Sequence, residues 1–390
     1  MTVAEKVIGR CLNREVKAGD RVFVDLSLVA MRDFGGPNAI LGYQKEFGEH
    51  PPFDPNRIVF TFDLYTPPRD EKVAQNQRLL RNYAAKWGIQ IIEHGVGQHR
   101  LYEEELVQTS DIIIGTDSHM NLLSAFGAYG VGVGTTDIIG ALYSGRCWIR
   151  IPQTLKVIIR GEPTPATTAK DIILAVIRRL GTDGLIGKAA EFYGLVQRFK
   201  THERITFLSM ITEMSGEIGF IPEEDSGGDF AGEIEIDVSG LPPMIARPHS
   251  PADVVPIPQV EGRRIDQVFI GSCTNGRFED FQLAARVLKG EKVKARLICV
   301  PATKNVLIEM LKTGVYLDLV EAGAVISNPG CALCTTGHPG ILAPGEVMVS
   351  TSNRNFVGKL GRGGEVYLAS PATAAVSALT GEITDPSGYL

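Results

Sequence analysis

The chain has 390 residues, of which 44 % are hydrophobic and 22 % charged, and its formal net charge is −6 with a pI near 5.7. This length predicts two or three packed domains, and the composition excludes a disordered chain. The acidic balance without long basic runs argues against nucleic-acid binding. We also expect no signal peptide in MTVAEKVIGR and no membrane span in the glycine-rich segment 124–145, which carries Asp137. A cytoplasmic protein is therefore predicted.

Short apolar runs alternate with amphipathic stretches in the first part of the chain. The apolar runs predict buried strands at residues 21–30, 57–63, 89–95 and 111–119. Between them, residues 70–87 repeat apolar side chains every three or four positions, which predicts a helix. This alternation is typical of a three-layer α/β domain with a largely parallel sheet.

Two further units follow the first. A second begins near residue 154, and there Thr167 or Thr168 is suited to cap a helix starting at about Lys170. Residues 223–258 are rich in glycine, proline and acidic residues, and they read as a linker. The predicted fold is three α/β/α domains around a shared site, with boundaries at 1–158, 159–255 and 256–390.

Six cysteines give the clearest chemical signal. In a chain without a secretory signal, metal binding or simple burial is a better explanation for them than disulfides. Three of them lie in apolar segments and are predicted to pack in the core: Cys11, Cys147 and Cys299. The other three lie in polar loops that follow predicted strands: Cys273 in GSCTNGR, and Cys331 and Cys334 in NPGCALC.

The spacing of the loop cysteines leaves three interpretations open. His338 could join them in a zinc site with three cysteines and one histidine. Alternatively, the three cysteines could hold an iron–sulfur cluster in which one iron has no protein ligand, although such clusters usually have four cysteine ligands. The third interpretation is a reduced CxxC pair with an unrelated thiol.

Five motifs, taken together and in order, resemble the aconitase family. They are GTDSHMNLLSAFGAYGVGVGTTD, IDQVFIGSCTNGRFED, NPGCALC, STSNRNFVGKLGRGG and EVYLASPATAAVSAL. The resemblance extends from AEKVIGR to the C-terminus, and within the family it favours the short archaeal large subunits of 3-isopropylmalate dehydratase and homoaconitase. The motif DSH alone has no specificity, whereas GSCTNGR followed by PGCxxC and SNRNF is highly specific.

The resemblance implies one [4Fe-4S] cluster per chain, with Cys273, Cys331 and Cys334 as ligands and the fourth position left to substrate or water. The fold it implies is the set of aconitase domains 1–3 around a shared iron–sulfur site. It implies no swivel domain, so a separate small subunit is expected to supply that domain and its serine base.

The function it implies is a hydro-lyase that reversibly dehydrates or isomerises a malate-type 2-hydroxy diacid. The first substrate expected is 3-isopropylmalate, of leucine biosynthesis, and homocitrate-type or alkylmalate-type acids follow. A non-catalytic iron- or RNA-responsive binding protein is an alternative that the acidic charge disfavours. A structural zinc protein is a third possibility.

The resemblance also assigns site residues. It implies a catalytic set in which Glu191 pairs with a histidine of the DSH motif: Asp63, His99, Asp117, His119 and Glu191. It implies a substrate-binding set that includes an arginine suited to bidentate carboxylate binding: Arg32, Ser118, Asn353, Arg354 and Lys359.

Several positions depart from the family pattern. Leu64 stands where a histidine that serves protonation is usual, and Lys359 stands in place of an arginine. Arg32 replaces a glutamine or histidine, while Met120 and Leu122 replace small polar residues. Together these changes predict a substrate pocket that is less polar at one end.

Overall fold

The computed structural model describes residues 1–334 and 338–390. Within these ranges the strands form three large sheets and one small two-stranded pair, and the large sheets occupy successive stretches of chain. In the same ranges no helix is long and apolar enough to cross a membrane.

The first region contains a five-stranded parallel sheet in the order β4-β3-β2-β5-β6 and an antiparallel pair of β1 with β7. Its strands are β1 Arg21–Asp25, β2 Leu28–Arg32, β3 Ile58–Phe62, β4 Gln90–Glu93, β5 Ile112–Gly115, β6 Tyr129–Gly132 and β7 Arg146–Arg150. Its helices are α1 Val3–Leu12, α2 Gly36–Phe47, α3 Glu71–Trp87, α4 Gly97–Glu103 and α5 Thr135–Ser144.

The strand predicted over residues 21–30 is two strands in different sheets. The chain leaves β1 at Leu26 and Ser27, whose N–H groups donate to Gly145 O and Ile112 O. β1 alternates exposed and buried residues, as expected for a strand with one solvated face, whereas β2 is almost wholly buried inside a parallel sheet. The continuous apolar pattern concealed this break.

The second region is a four-stranded parallel sheet in the order β10-β9-β8-β11. Its elements are β8 Gln153–Arg160, α6 Ala169–Leu180, β9 Lys188–Gly194, α7 Thr201–Ser209, β10 Ile218–Phe220 and β11 Gly232–Asp237. Helix α6 begins as predicted, because Thr168 is its N-cap and Asp171 accepts from the N–H of Thr168 at 2.8 Å.

The third region is a seven-stranded sheet in the order β13-β12-β18-β17-β14-β15-β16, with β12 antiparallel to both of its neighbours. Its strands are β12 Met244–Ala246, β13 Val254–Pro256, β14 Gln267–Ile270, β15 Arg296–Cys299, β16 Val325–Ile326, β17 Val347–Ser350 and β18 Glu365–Ala369. Its helices are α8 Phe278–Leu288, α9 Lys304–Thr313, α10 Val315–Ala322 and α11 Pro371–Thr380. Strands β12 and β13 join this sheet, although the predicted boundary at 255 assigns β12 and most of β13 to the second region. The boundaries themselves remain a prediction.

Polar loops follow the carboxyl ends of β2, β3, β5, β14 and β17, where α/β sheets commonly bind their ligands. The first and third regions pack directly against each other at this edge. One buried cluster joins Leu64 and Met120 of the first region to Cys273 and Cys331 of the third. The sheets therefore bring distant loops to one place.

Candidate iron–sulfur active site

The three loop cysteines lie together. Cys273 follows β14 and is buried, while Cys331 and Cys334 follow β16. The thiols of Cys273 and Cys331 both hydrogen-bond to Cys334, and these bonds hold the pKa of Cys334 well below its ordinary value. The same contact to Cys334, together with burial, raises the pKa of Cys273 and that of Cys331. Three sulfurs from two loops thus form one buried donor set.

The backbone around these cysteines is constrained. Ser272 and Ala332 adopt left-handed conformations, with φ of 80° and 55°, next to Cys273 and Cys331. Such conformations cost free energy in residues other than glycine, and they concentrate at functional sites. Gly330 is needed for a different reason: a Cβ there would lie 2.5 Å from Asp63 O. This close approach sets the Cys331 loop against the end of β3.

Asn353 provides a test of whether a sulfur-ligated cluster fits this donor set. Its Oδ1 lies 3.5 Å from Cys273 Sγ and 3.9 Å from Cys334 Sγ, and its Nδ2 is buried without a partner among the described residues. Rotating the carboxamide by half a turn would direct this N–H donor at the sulfurs. Deprotonated, metal-bound sulfurs are acceptors, so the orphaned donor suits a loaded site. The residues present therefore fit an iron–sulfur cluster.

The zinc interpretation fits less well. His338 Nε2 lies 3.0 Å from Ser327 Oγ and its Nδ1 lies 2.7 Å from Pro339 O, so both ring nitrogens have other neighbours. In residues 1–334 and 338–390, no three of the histidine, cysteine, aspartate and glutamate side chains are placed around a single metal ion. An iron–sulfur cluster does not require three side chains around a single metal ion, because each cysteine binds a different iron.

A cavity of about 290 Å³ opens above the cysteines. Cys331, Cys334 and Asn353 line it on one side. The other lining residues come from the end of β2 and from the loops after β2, β3, β5 and β17. Together with Asn353 they include all five residues predicted to bind substrate: Arg32, Ser118, Asn353, Arg354 and Lys359. Asp117 and His119 of the predicted catalytic set also line this cavity, whereas its other three members are not among the lining residues: Asp63, His99 and Glu191.

His119 belongs to a charged network with Glu213 and Arg354. His119 Nε2 lies 3.0 Å from Glu213 Oε1, and Arg354 Nε donates to both carboxylate oxygens of Glu213, at 2.8 and 3.1 Å. Burial lowers the pKa of His119, but its hydrogen bonds to Asp117 and Glu213 outweigh this effect and raise the pKa. These two carboxylates therefore favour the protonated form of His119 at the cavity.

The predicted pairing of Glu191 with His119 is wrong. Glu191 is fully buried in β9, where it accepts from Val3 N at 2.6 Å and from the Tyr193 hydroxyl. Its carboxylate thus lies at the N-terminus of α1, where negative charge is stabilised. The partner of His119 is Glu213, which comes from the turn at Met210–Met214. In the sequence, the available indication of this partner was that Glu213 is the single acidic residue of the largely apolar run FLSMITEM.

Arg32 lies between two carboxylates. Its Nε donates to Asp63 Oδ1 at 2.9 Å, and Nη1 donates to Asp117 Oδ2. Burial raises the pKa of Asp63 to about 7 against the opposing effect of Arg32. Burial acts the same way on Asp117, but Arg32 and the hydrogen bond with His119 hold the pKa of Asp117 well below its ordinary value. Arg32 lines the cavity, yet its charge is largely taken up by these two partners.

His99 supports the Cys273 loop and, within the described structure, does not line the cavity. Its Nε2 lies 2.9 Å from Cys273 O and its Nδ1 lies 3.3 Å from Arg277 Nη1. Burial, reinforced by Arg277, lowers the pKa of His99 to about 3, so the ring is neutral. A neutral histidine in this position is suited to holding a loop, which differs from the predicted catalytic role.

Of the positions that depart from the family pattern, three line the cavity: Arg32, Leu64 and Lys359. Met120 and Leu122 are instead buried in the cluster that joins the first and third regions. Leu64 is buried and lines the cavity beside Phe34, which is 61 % exposed. Lys359 lines the cavity with its ammonium 5.2 Å from the ring centroid of Phe356. One end of the cavity is therefore apolar, while Arg354 and Lys359 keep positive charge at another.

The sequence and the fold have counterparts among known proteins. A sequence profile of the Aconitase family (aconitate hydratase) matches residues 5–226 and 222–381. The chain belongs to the aconitase family.

Relatives match the chain over its whole length. It is 40 % identical over 416 residues to "3-isopropylmalate dehydratase large subunit 1" of Methanopyrus kandleri, covering 100 % of this chain and 99 % of that protein. It is 40 % identical over 392 residues to "3-isopropylmalate dehydratase large subunit 2" of Pyrococcus furiosus, covering 100 % of both. Among solved structures, aconitase X of Thermococcus kodakaraensis in its holo-form matches with a TM-score of 0.58 and 14 % identity, over 91 % of this chain and 90 % of that one. That likeness shows a shared fold. Membership of the family implies an iron–sulfur cluster.

Proposed function

We propose that this chain is the large subunit of an iron–sulfur hydro-lyase that reversibly dehydrates a malate-type 2-hydroxy diacid, with 3-isopropylmalate as the first candidate. The observation that carries the proposal is that Cys331 and Cys334 line the same cavity as His119 and Arg354. Cys334 also bonds the buried Cys273, and Glu213 bonds both His119 and Arg354. The names of the full-length relatives support the same substrate and a place in leucine biosynthesis. Homocitrate-type and other alkylmalate-type acids are the alternatives.

Cys273, Cys331 and Cys334 would hold one [4Fe-4S] cluster per chain. When bound, such a cluster with three protein ligands supplies a Lewis-acidic iron at which the substrate's hydroxyl and carboxylate lose electron density. With its carboxamide rotated by half a turn, Asn353 would donate to the sulfurs from Nδ2, which has no partner among the described residues. His99 and Arg277 hold the Cys273 loop from behind.

The remaining residues bind and orient the substrate and move a proton. Arg354 and Lys359 offer cationic groups to the substrate carboxylates, and Arg354 is fixed by its two bonds to Glu213. His119 lies beside Ser118 and is oriented by Glu213, which favours its protonated form, so it is suited to assist departure of the hydroxyl group. The base that takes the carbon-bound proton would come from a small subunit, and the "large subunit" names of the relatives support such a partner.

Leu64 and Phe34 would receive the apolar substituent of the substrate. Burying a methylene group contributes about 0.8 kcal/mol, so an alkyl group between these side chains is favoured over a carboxylate. The wild-type chain reconstituted with its small subunit should therefore have a higher kcat/KM for 3-isopropylmalate than for citrate or homocitrate.

The matching variant is Leu64→His, which we expect to lower kcat/KM for 3-isopropylmalate about tenfold and to narrow its advantage over citrate. Leu64→Met conserves volume and polarity and should behave like wild type. Citrate as the better wild-type substrate would contradict the proposed substrate class. An unchanged rate and pH profile in Leu64→His would show that this side chain does not contact the substrate.

A further inference from the structure

Lys170 carries a buried positive charge that the proposed chemistry does not use. It lies in the first turn of α6 and is 1 % exposed. Its Nζ donates to Thr351 O and to Ser352 O, both at 2.9 Å. Within residues 1–334 and 338–390, no carboxylate lies within ion-pair distance of this ammonium. The only other contact of this ammonium among the described residues is Met210 Sδ at 3.9 Å, and a buried ammonium with such neutral partners is costly unless an anion compensates it.

The surroundings of Lys170 connect it to the cysteine site. The two carbonyls it binds immediately precede Asn353, whose side chain contacts the sulfurs of Cys273 and Cys334. Burial lowers the pKa of Lys170 to about 8, and the strongest opposing attraction comes from Cys273 and Cys334, ahead of Asp280 and Glu213. Through residues 351–353, Lys170 is thus linked to the two sulfurs that Asn353 contacts.

Lys170 reaches this position from outside the substrate cavity. It lines a separate cavity of about 170 Å³ together with Asn275 and Asp280, on the other side of the Cys273 loop. Thr206, also in this lining, donates to Thr274 O and ties α7 to the same loop. The second region therefore reaches the Cys273 loop through Thr206 and the 351–353 segment through Lys170, which brings a positive charge.

We propose that Lys170 is the counter-charge of the loaded cysteine site, stabilising the anionic cluster while holding the 351–354 loop that carries Asn353 and Arg354. The inference rests on the cluster of the proposed function. A fixed positive charge beside an anionic cluster favours its retention and its reduced state. In the protein without a cluster, the same charge lacks its compensating anion and is a cost to stability.

The test compares Lys170→Gln with wild type, with Lys170→Arg, which keeps the charge, and with Lys200→Gln, which removes an exposed charge from the same region. The measurements are the rate of iron loss from anaerobically reconstituted protein, the midpoint potential of the cluster and the thermal midpoint of the metal-free chain. Glutamine keeps a donor for the two carbonyls, so the variant isolates the charge.

We expect Lys170→Gln to lose iron about tenfold faster and to be reduced at a lower potential. A tenfold change in the one-electron equilibrium corresponds to about 59 mV. Its metal-free form should be at least as stable as wild type, and both Lys170→Arg and Lys200→Gln should resemble wild type. Unchanged iron loss and potential in Lys170→Gln would overturn the inference. The inference would also be overturned if Lys170→Gln destabilised the metal-free protein as much as the loaded protein. Lys170 would then only stabilise the fold. Failure of wild type to bind a cluster would instead overturn the proposed function.

Discussion

We expect the Cys331→Ser substitution to abolish assembly of the iron–sulfur cluster and, with it, all activity. Cys331 is one of only three thiols in the donor set, and its backbone N–H is fixed by a 2.9 Å bond to Asp63 O. Serine cannot supply the soft thiolate that iron–sulfur clusters require. Iron and sulfide per chain after anaerobic reconstitution, with absorption near 400 nm, measure the effect.

Cys299→Ser is the matched control for this substitution. Cys299 is also fully buried, but it lies in β15, and burial alone raises its pKa, to about 12. We expect this variant to bind as much iron and sulfide as wild type. Equal iron loss from both variants would contradict the ligand assignment, and stoichiometric zinc in the native protein would contradict the cluster itself.

Glu213→Gln has the second largest expected effect. Glu213 is 8 % exposed and bonds both His119 and Arg354, so a neutral amide weakens the orientation of both groups at once. A positioned acid–base group is typically worth about 10² to 10⁴ in rate, and we expect a loss of at least about 10² in kcat. Assays use the loaded chain with its small subunit.

The pH dependence separates this role from simple damage to the fold. Glu213 helps to raise the pKa of His119, so the amide should lower that pKa. If protonated His119 is the active form, the alkaline limb of kcat/KM moves to lower pH. Glu191→Gln is the control, since Glu191 bonds the start of α1 instead of the histidine. An equal loss of kcat from both variants, with no shift of the alkaline limb, would contradict the assignment to Glu213.

The sequence predicted those parts of the site that depend on short segments. A polar loop after a buried strand is visible locally, so the positions of Cys273, Asp117 and Leu64 at one edge could be expected from the order of elements. The resemblance to the aconitase family then connected the cysteines of two loops, which spacing alone left open.

The parts of the site that the sequence did not predict depend on packing between distant segments of the chain. Glu213 is 94 residues from His119 and lies in a 3-10 turn, so no local pattern indicates that they meet. Arg32 was expected to bind substrate, but the structure surrounds it with Asp63 and Asp117, a pairing that requires three strand ends side by side. In the sequence, Lys170 resembles an ordinary lysine in the first turn of a helix. Its bonds to the 351–352 carbonyls depend on the packing of α6 against the third region.

The central claim is that three cysteines hold a cluster whose remaining iron is available to substrate. Mössbauer spectroscopy tests it most directly, on the anaerobically loaded chain with its small subunit, enriched in the Mössbauer-active iron isotope, before and after addition of 3-isopropylmalate. We expect the spectrum of one iron site of the cluster to change when substrate is added, while the spectra of its other iron sites stay the same. A spectrum in which no iron site responds to a substrate that the enzyme turns over would contradict it.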